Sequence, residues 1–149
     1  MILEINSRWV MDVHDIKTRS YNMSQIKSNN TKPEVLVRKY LFSKGFRFRK
    51  NDKRYPGSPD IVLPKYNTCI FINGCFWHAH KKCKYFVWPK NNKIFWRNKI
   101  SGNVKRDKKK HVKLISLGLN VIIIWECELK DNNFENRMID LIKMILNYR

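Results

Sequence analysis

Acid is scarce in this chain. Of 149 residues, 12 are Asp or Glu against 31 Lys or Arg, a formal net charge of +19, and between Asp60 and Asp107 there is no Asp or Glu at all. Any apolar run approaching the roughly 18 residues of a membrane span is also absent. Residues Met1 to Val10 lack the apolar core of a secretory signal. Neither an internal repeat nor a low-complexity tract is found. These absences argue against a helical membrane protein and a repeat architecture, and they lead to the expectation of a cytoplasmic protein with no membrane partner.

The residues that are present describe a folded chain. A hydrophobic fraction of 43% and an aromatic fraction of 13% suit a single domain that buries roughly two thirds of the surface its unfolded form exposes. Residues 81 to 110 hold twelve Lys or Arg and one acid, Asp107. Such a field attracts polyanions, and nucleic acid leads over an anionic membrane because no basic amphipathic helix with an aromatic face stands out.

Four cysteines in a basic chain of intracellular character favour a metal or free thiols over disulfides. Cys75, His80 and Cys83 are spaced so that one short loop can fold two sulfurs and a nitrogen onto one ion, and thiolate plus imidazole suits zinc. The candidate fourth ligand is Cys127, in Trp125-Glu126-Cys127-Glu128. Four protein ligands leave no open position, so such a zinc is structural. Cys69, inside a strand-like run, reads instead as a small core residue.

In chain order, residues 1–30 are polar and weakly periodic and read as an arm that orders on a partner. Residues 31–149 form the domain. Thr31-Lys32-Pro33-Glu34 predicts a capping box opening a helix that Gly45 stops. Glu34 is then either the capping carboxylate or an acid near a metal. Phe46 to Arg49 alternates as a half-buried strand would, and Asn51 to Pro59 is turn-rich. Asp60 precedes the apolar Ile61-Val62-Leu63, where a buried carboxylate needs a cation or hydrogen-bond donors; otherwise it is a turn residue left in water. Thr68 to Asn73 fits a central strand, and a long basic helical region follows with Gly102 and Gly118 along it. Asn120 to Trp125 reads as another buried strand, also central, and Phe134 to Tyr148 as an amphipathic helix built on Met138, Leu141, Ile142 and Ile145. The fold class expected is α/β, one mixed sheet flanked by helices.

Pro59-Asp60 at a strand start, with an adjacent strand about a dozen residues on, outlines the PD-(D/E)XK (restriction-endonuclease-like) nuclease core. That core normally adds a second acid and a lysine on the next strand, so that two carboxylates hold Mg²⁺ against the scissile phosphate. Both are missing here. The nearest proton acceptors in sequence are His78 and His80.

The run Phe71-Ile72-Asn73-Gly74-Cys75-Phe76-Trp77-His78, with Asp12-Val13-His14-Asp15, Pro59-Asp60, Phe95-Trp96, Asn103-Val104-Lys105-Arg106-Asp107 and Trp125-Glu126-Cys127, resembles the very-short-patch-repair (Vsr) DNA mismatch endonucleases over roughly residues 11 to 130. The resemblance implies a PD-(D/E)XK-like fold with a structural zinc, and nicking of one strand at a T·G mismatch. It implies Asp60 as Mg²⁺ ligand, Ile72 as a backbone-carbonyl ligand, Glu34 as an acid reaching the metal through water, and His78 as the catalytic histidine. It makes Cys75, His80, Cys83 and Cys127 the zinc ligands, and Phe76, Trp77 and Trp96 DNA-binding aromatics that wedge into the base stack. Residues 1–30 become a DNA-binding arm, double-stranded DNA with a T·G mismatch the partner, and mismatch-repair proteins further candidate partners.

Two features depart from the family pattern. Asn73 stands where well-known members carry a second active-site histidine, and the His80 to Cys83 interval looks one residue longer than in some of them. An amide can position a water or phosphate but cannot take its proton. Two other readings stay open at this point. A restriction-type endonuclease of the same fold would use Asp60 but cut both strands of paired DNA. A zinc-stapled DNA-binding module without catalysis would leave Asp60 and His78 without a task.

Overall fold

The computed structural model describes residues 16–24 and 29–148. By compactness the chain divides after Asn30 into two units, Met1–Asn30 and Thr31–Arg149. The described part of the first contains a helix, α1 (Ile16–Ser24), whose last residue donates its hydroxyl to the Tyr21 carbonyl at 2.6 Å. No apolar stripe in the sequence signals this helix, so it was not expected. The rest of the expected arm, residues 1–15 and 25–28, lies outside the described residues.

The second unit is built on a four-stranded mixed sheet in the order β1 (Arg49–Lys50), β2 (Ile61–Leu63), β3 (Thr68–Asn73), β4 (Asn120–Trp125). The first three strands run antiparallel and β3 pairs with β4 in parallel. A parallel pair needs a long crossover, which here contains the 24-residue helix α3 (Lys93–Ser116). Helices α2 (Lys32–Ser43) and α4 (Phe134–Asn147) complete the unit. Strand side chains alternate between faces, so Ile61, Leu63, Ile70 and Ile72 join Val37 and Leu41 of α2 and Met138, Leu141 and Ile145 of α4 in one core. Val62, Cys69 and Phe71 meet Leu114 of α3 on the other face. Being covered on both faces, β3 is buried at all six positions, and its apolar run is continuous for that reason. Among the described residues no helix is long and apolar enough to cross a membrane.

Three local expectations are corrected, and the expected long basic helical region is seen as one helix, α3. Residues 46–48 keep the expected alternation, with Phe46 buried and Arg47 exposed, but strand pairing reaches only Arg49 and Lys50. Their partner β2 has three residues between Asp60 and Pro64, and proline cannot donate to a ladder. β4 lies at the sheet edge and buries only Ile122 and Ile124 fully; Arg137 of α4 covers part of that edge by donating to the Ile123 carbonyl at 3.1 Å. α3 runs unbroken through Gly102, with only Ile100 and Leu114 buried, because it lies over the sheet as a long solvated rod. Finally, the Thr31 side chain makes no cap bond to the helix backbone; its hydroxyl donates to Glu34 Oε1 at 3.1 Å instead.

Candidate functional site

The end of β3 leads directly into a loop held by three backbone bonds: His78 N–H to Gly74 O (3.3 Å), Ala79 N–H to Phe76 O (3.4 Å) and His80 N–H to Cys75 O (3.0 Å). Ala79 and Lys82 sit at φ +50° and +56°, a left-handed conformation that costs an L-residue with a Cβ roughly 1–2 kcal/mol and persists where the surroundings over-determine it. Here they fold the chain back on itself. One donor atom from each of Cys75, His80, Cys83 and Cys127 then lies within 4.8 Å of the others. A tetrahedral zinc with Zn–S bonds of about 2.3 Å would hold its sulfurs about 3.8 Å apart, so this set fits one ion.

Cys127 reaches the cluster from a 3-10 helix, Glu126–Leu129, placed by the Glu128 carboxylate, which accepts from the Trp125 N–H at 2.9 Å and from Arg137 Nε at 3.0 Å. The His80 ring stacks on Trp125 with centroids 4.1 Å apart and planes 5° from parallel, and its Nδ1 is 3.4 Å from Cys127 Sγ. Burial, together with the adjacent Cys75 and Cys83 thiols, pushes the Cys127 thiol up to about 12. Three thiols this close resist ionising together. A bound cation removes that resistance, and the donor set is one that metal ions of zinc's softness prefer.

A second cluster forms where β2 begins. Asp60 Oδ2 accepts the Ile72 N–H at 2.7 Å, which pins the carboxylate to β3 one residue before Asn73. Burial raises the Asp60 carboxyl from 3.8 to about 6, the Ile72 bond works against the rise, and the charge of nearby Glu34 adds to it, while Arg38 and His78 oppose it. Asp60 is therefore not a turn residue left in water. Glu34 is only 3% exposed and lies 3.6 Å from Arg38, one turn along α2. A buried carboxylate, Glu34, and a half-buried one, Asp60, with a backbone strand beside them form a place where a divalent cation would relieve the charge.

His78 completes this corner from the loop side. Its Nδ1 pairs with the Asp107 carboxylate of α3. One turn on, His111 packs against Phe71 with centroids 4.7 Å apart, and burial holds its imidazole below the ordinary value. Asn103 fixes the loop to the same helix by donating to the Trp77 carbonyl at 3.0 Å. Asn73 is buried at the end of β3, in register with Trp125. By strand alternation it shares the face of Phe71, the side covered by α3.

Phe76, Trp77 and Trp96 form one cluster, with centroids 5.2 Å (Phe76–Trp77), 5.5 Å (Phe76–Trp96) and 6.0 Å (Trp77–Trp96) apart. All three are half-buried and stand outside both core clusters. Phe86 and Phe95 extend the surface at 6.2 Å from Phe76 and 5.2 Å from Trp96.

A family model described as DNA mismatch endonuclease Vsr matches residues 11–84. The type II nicking enzyme V.NmeAIP of Neisseria meningitidis serogroup A is 54% identical over 120 residues, covering 80% of this chain and 85% of that protein. The DNA mismatch endonuclease Vsr of Escherichia coli K12 is 43% identical over 119 residues, 80% of this chain and 76% of that protein. The chain belongs to the Vsr family. The Vsr match spans Glu34, Asp60, Ile72, Asn73 and the Cys75 to Cys83 loop, and ends at Lys84. Cys127 and Asp107 lie beyond it, and the fold brings them in.

The sequence placed Cys75, His80, Cys83 and Cys127 around one ion, and the fold brings their donor atoms together; the family resemblance paired Asp60 with the Ile72 carbonyl, whereas the contact in the structure is to the Ile72 N–H. Sequence reasoning missed Arg38 and the partnership of Asp107 with His78. The one signal for Asp107 was its isolation as the single acid among residues 81 to 110. Nothing in the sequence marked Arg38, which reads as one more surface cation until α2 is packed.

Proposed function

We propose that this Vsr-family DNA mismatch endonuclease nicks one strand of duplex DNA at a T·G mismatch, by magnesium-dependent hydrolysis of a phosphodiester on a PD-(D/E)XK-type core clipped by a structural zinc. One observation carries the reading: half-buried Asp60 lies in the field of Glu34, Arg38 and His78 at once, while His78 is held from behind by Asp107. A non-catalytic binding module has no use for that arrangement.

Mg²⁺ held by Asp60 and the Ile72 carbonyl, with Glu34 reaching it through water, would supply charge neutralisation at the phosphate and a more acidic water. The remaining work falls to the chain. Asp107 engages His78 Nδ1 and fixes the ring, leaving Nε2 to accept a proton from the attacking water. As that water's oxygen bonds to phosphorus, the ester bond to the leaving oxygen breaks. Asn73 orients water or phosphate through its amide and takes no proton.

Zinc at Cys75, His80, Cys83 and Cys127 holds the loop that carries Phe76, Trp77 and His78, so the aromatic wedge and the base move as one piece. Opening a base step costs a few kcal/mol and least at a mismatch, so Phe76, Trp77 and Trp96 convert weak pairing into selectivity. Residues 1–30 serve as an arm along the duplex.

The test uses matched and T·G duplexes, each strand labelled in turn, with Mg²⁺. A nick in one strand of the mismatched duplex and none in the matched one is expected. Cleavage of both strands of paired DNA would make this a restriction-type enzyme, and binding without cleavage would leave a zinc-stapled module.

A further inference from the structure

A groove of about 480 Å³ lies between α2 and β1, lined by Arg38, Lys39, Phe42, Ser43, Phe48 and Lys50. We propose that it is a nucleotide subsite for the cut strand, taking backbone phosphates and one stacked base beside the scissile phosphate. This rests on the reading of Asp60 and Glu34 as the hydrolytic corner, and it adds a surface that the zinc, the wedge and the catalytic residues leave unused.

The groove begins at that corner. Glu34, Arg38 and Phe42 follow one another at four-residue steps, so they share one face of α2. Glu34 and Arg38 are buried and ion-paired, whereas Phe42 is 58% exposed. The face thus passes from carboxylate to open aromatic over about 12 Å, at about 1.5 Å per residue. That is the axial rise of three to four base pairs at about 3.4 Å each. On the opposite wall Lys50 pairs in register with Ile61, and the next residue, Asn51, donates its N–H to the Asp60 carbonyl at 3.3 Å. One wall therefore leads away from the Glu34 carboxylate and the other from the Asp60 backbone.

The lining chemistry fits a nucleotide. Three of the six lining residues are cations, and among the described residues no carboxylate lines the groove. Arg47 sits over the Phe42 ring at 4.3 Å from its centroid and donates to the Phe46 carbonyl at 3.1 Å, so a positive charge is fixed against one face of an exposed aromatic. An aromatic surface flanked by cations is how proteins hold a base and its phosphate without reading sequence. An acidic protein segment would satisfy the charges but give no task to Phe42. The reaction itself brings a polyanion to this mouth, because the strand to be cut has to cross Asp60.

The experiment compares the parent with Phe42→Ala and with the double variant Lys39→Glu/Lys50→Glu. All three substituted side chains are exposed, and melting curves check that each variant is folded. Equilibrium binding is measured across one series of salt concentrations, the same for every protein, without Mg²⁺, on a full T·G duplex and on two duplexes truncated close to the cut, one on each side. On the full duplex each variant is expected to bind about tenfold more weakly than the parent. The salt slope of the double variant should be shallower by about 2, at roughly 0.9 per phosphate contact. On one of the truncated duplexes, the same one for both variants, parent and variants should bind alike because the subsite is empty. Equal losses on all three duplexes, or no loss on any, overturn the subsite. Nicking of the full duplex by the parent is followed in parallel with Mg²⁺. A parent that does not nick overturns the hydrolytic reading, whereas a parent that nicks while the variants bind every duplex as it does overturns the subsite alone.

Discussion

Two clusters of ionisable groups flank the end of β3, and they handle charge in opposite ways. The loop cluster gathers three thiols and an imidazole, and burial, with the neighbouring Cys75 and Cys83 thiols, drives Cys127 up to about 12. The corner at Asp60 gathers two carboxylates but has the Arg38 guanidinium and the His78 ring beside it, which offset part of the cost of burying Asp60. A cluster in which Cys75 and Cys127 are held back from ionising until a cation arrives suits a permanent metal. A cluster already half-balanced can wait for metal and substrate to arrive together. The proposed division of labour gives structure to the first site and chemistry to the second.

The sharpest way to break the comparison is to empty the first site. Cys127→Ser removes the ligand that ties the loop to the segment after β4, and the expected result is loss of the single zinc per chain together with much of the fold, read by metal analysis and thermal melting. Structural zinc sites supply folding free energy outright. A Cys127→Ser protein with full zinc and the parent's melting temperature would remove the distinction.

The next effect concerns the second site alone. His78→Ala should nick about 10²–10⁴-fold more slowly in single turnover, the usual range for a lost general base. Asp107→Asn should lose less, because it unfastens the ring without removing it. Zinc content should be normal in both. A larger loss in Asp107→Asn than in His78→Ala would show that Asp107 acts on its own account.

The smallest effect sharpens the contrast in charge. Asp60 has a folded-state pKa of about 6 against an ordinary 3.8. Below the ordinary value it is protonated in both states and costs nothing. As pH rises the unfolded chain ionises first, so the protein without Mg²⁺ loses stability between about pH 4 and 6, by up to about 3 kcal/mol at 1.36 kcal/mol per pKa unit. Asp60→Asn should abolish that slope and melt higher than the parent at neutral pH without Mg²⁺. Identical pH profiles for parent and variant would mean that Asp60 is not strained by its burial.

What the sequence revealed divides along the range of the interaction. Three of the four metal-loop ligands lie within nine positions, from Cys75 to Cys83, and soft donors at loop spacing signal themselves. β3 and α4 were legible because their apolar patterns match the burial they meet, six of six positions in β3 and Met138, Leu141 and Ile145 in α4. The corner was legible only in part. Glu34 could be explained equally well as a cap, and only packing shows that its carboxylate turns to Arg38. Asp107 lies 29 positions from His78, with a loop and half of α3 between them, and no periodicity encodes that distance. β4 has the composition of a central strand but lies at an edge, because Arg137 and the sheet's own apolar face suffice to protect it.

Division of labour between the two sites is tested most directly by Asp60→Asn, with zinc content, T·G duplex binding and nicking of the labelled strand measured on one preparation. One zinc per chain, mismatch binding at least as tight as the parent's and no detectable nick are predicted, since the substitution removes a half-buried negative charge that serves hydrolysis and not the fold. Nicking at close to the parent rate, or loss of the zinc, would contradict the account.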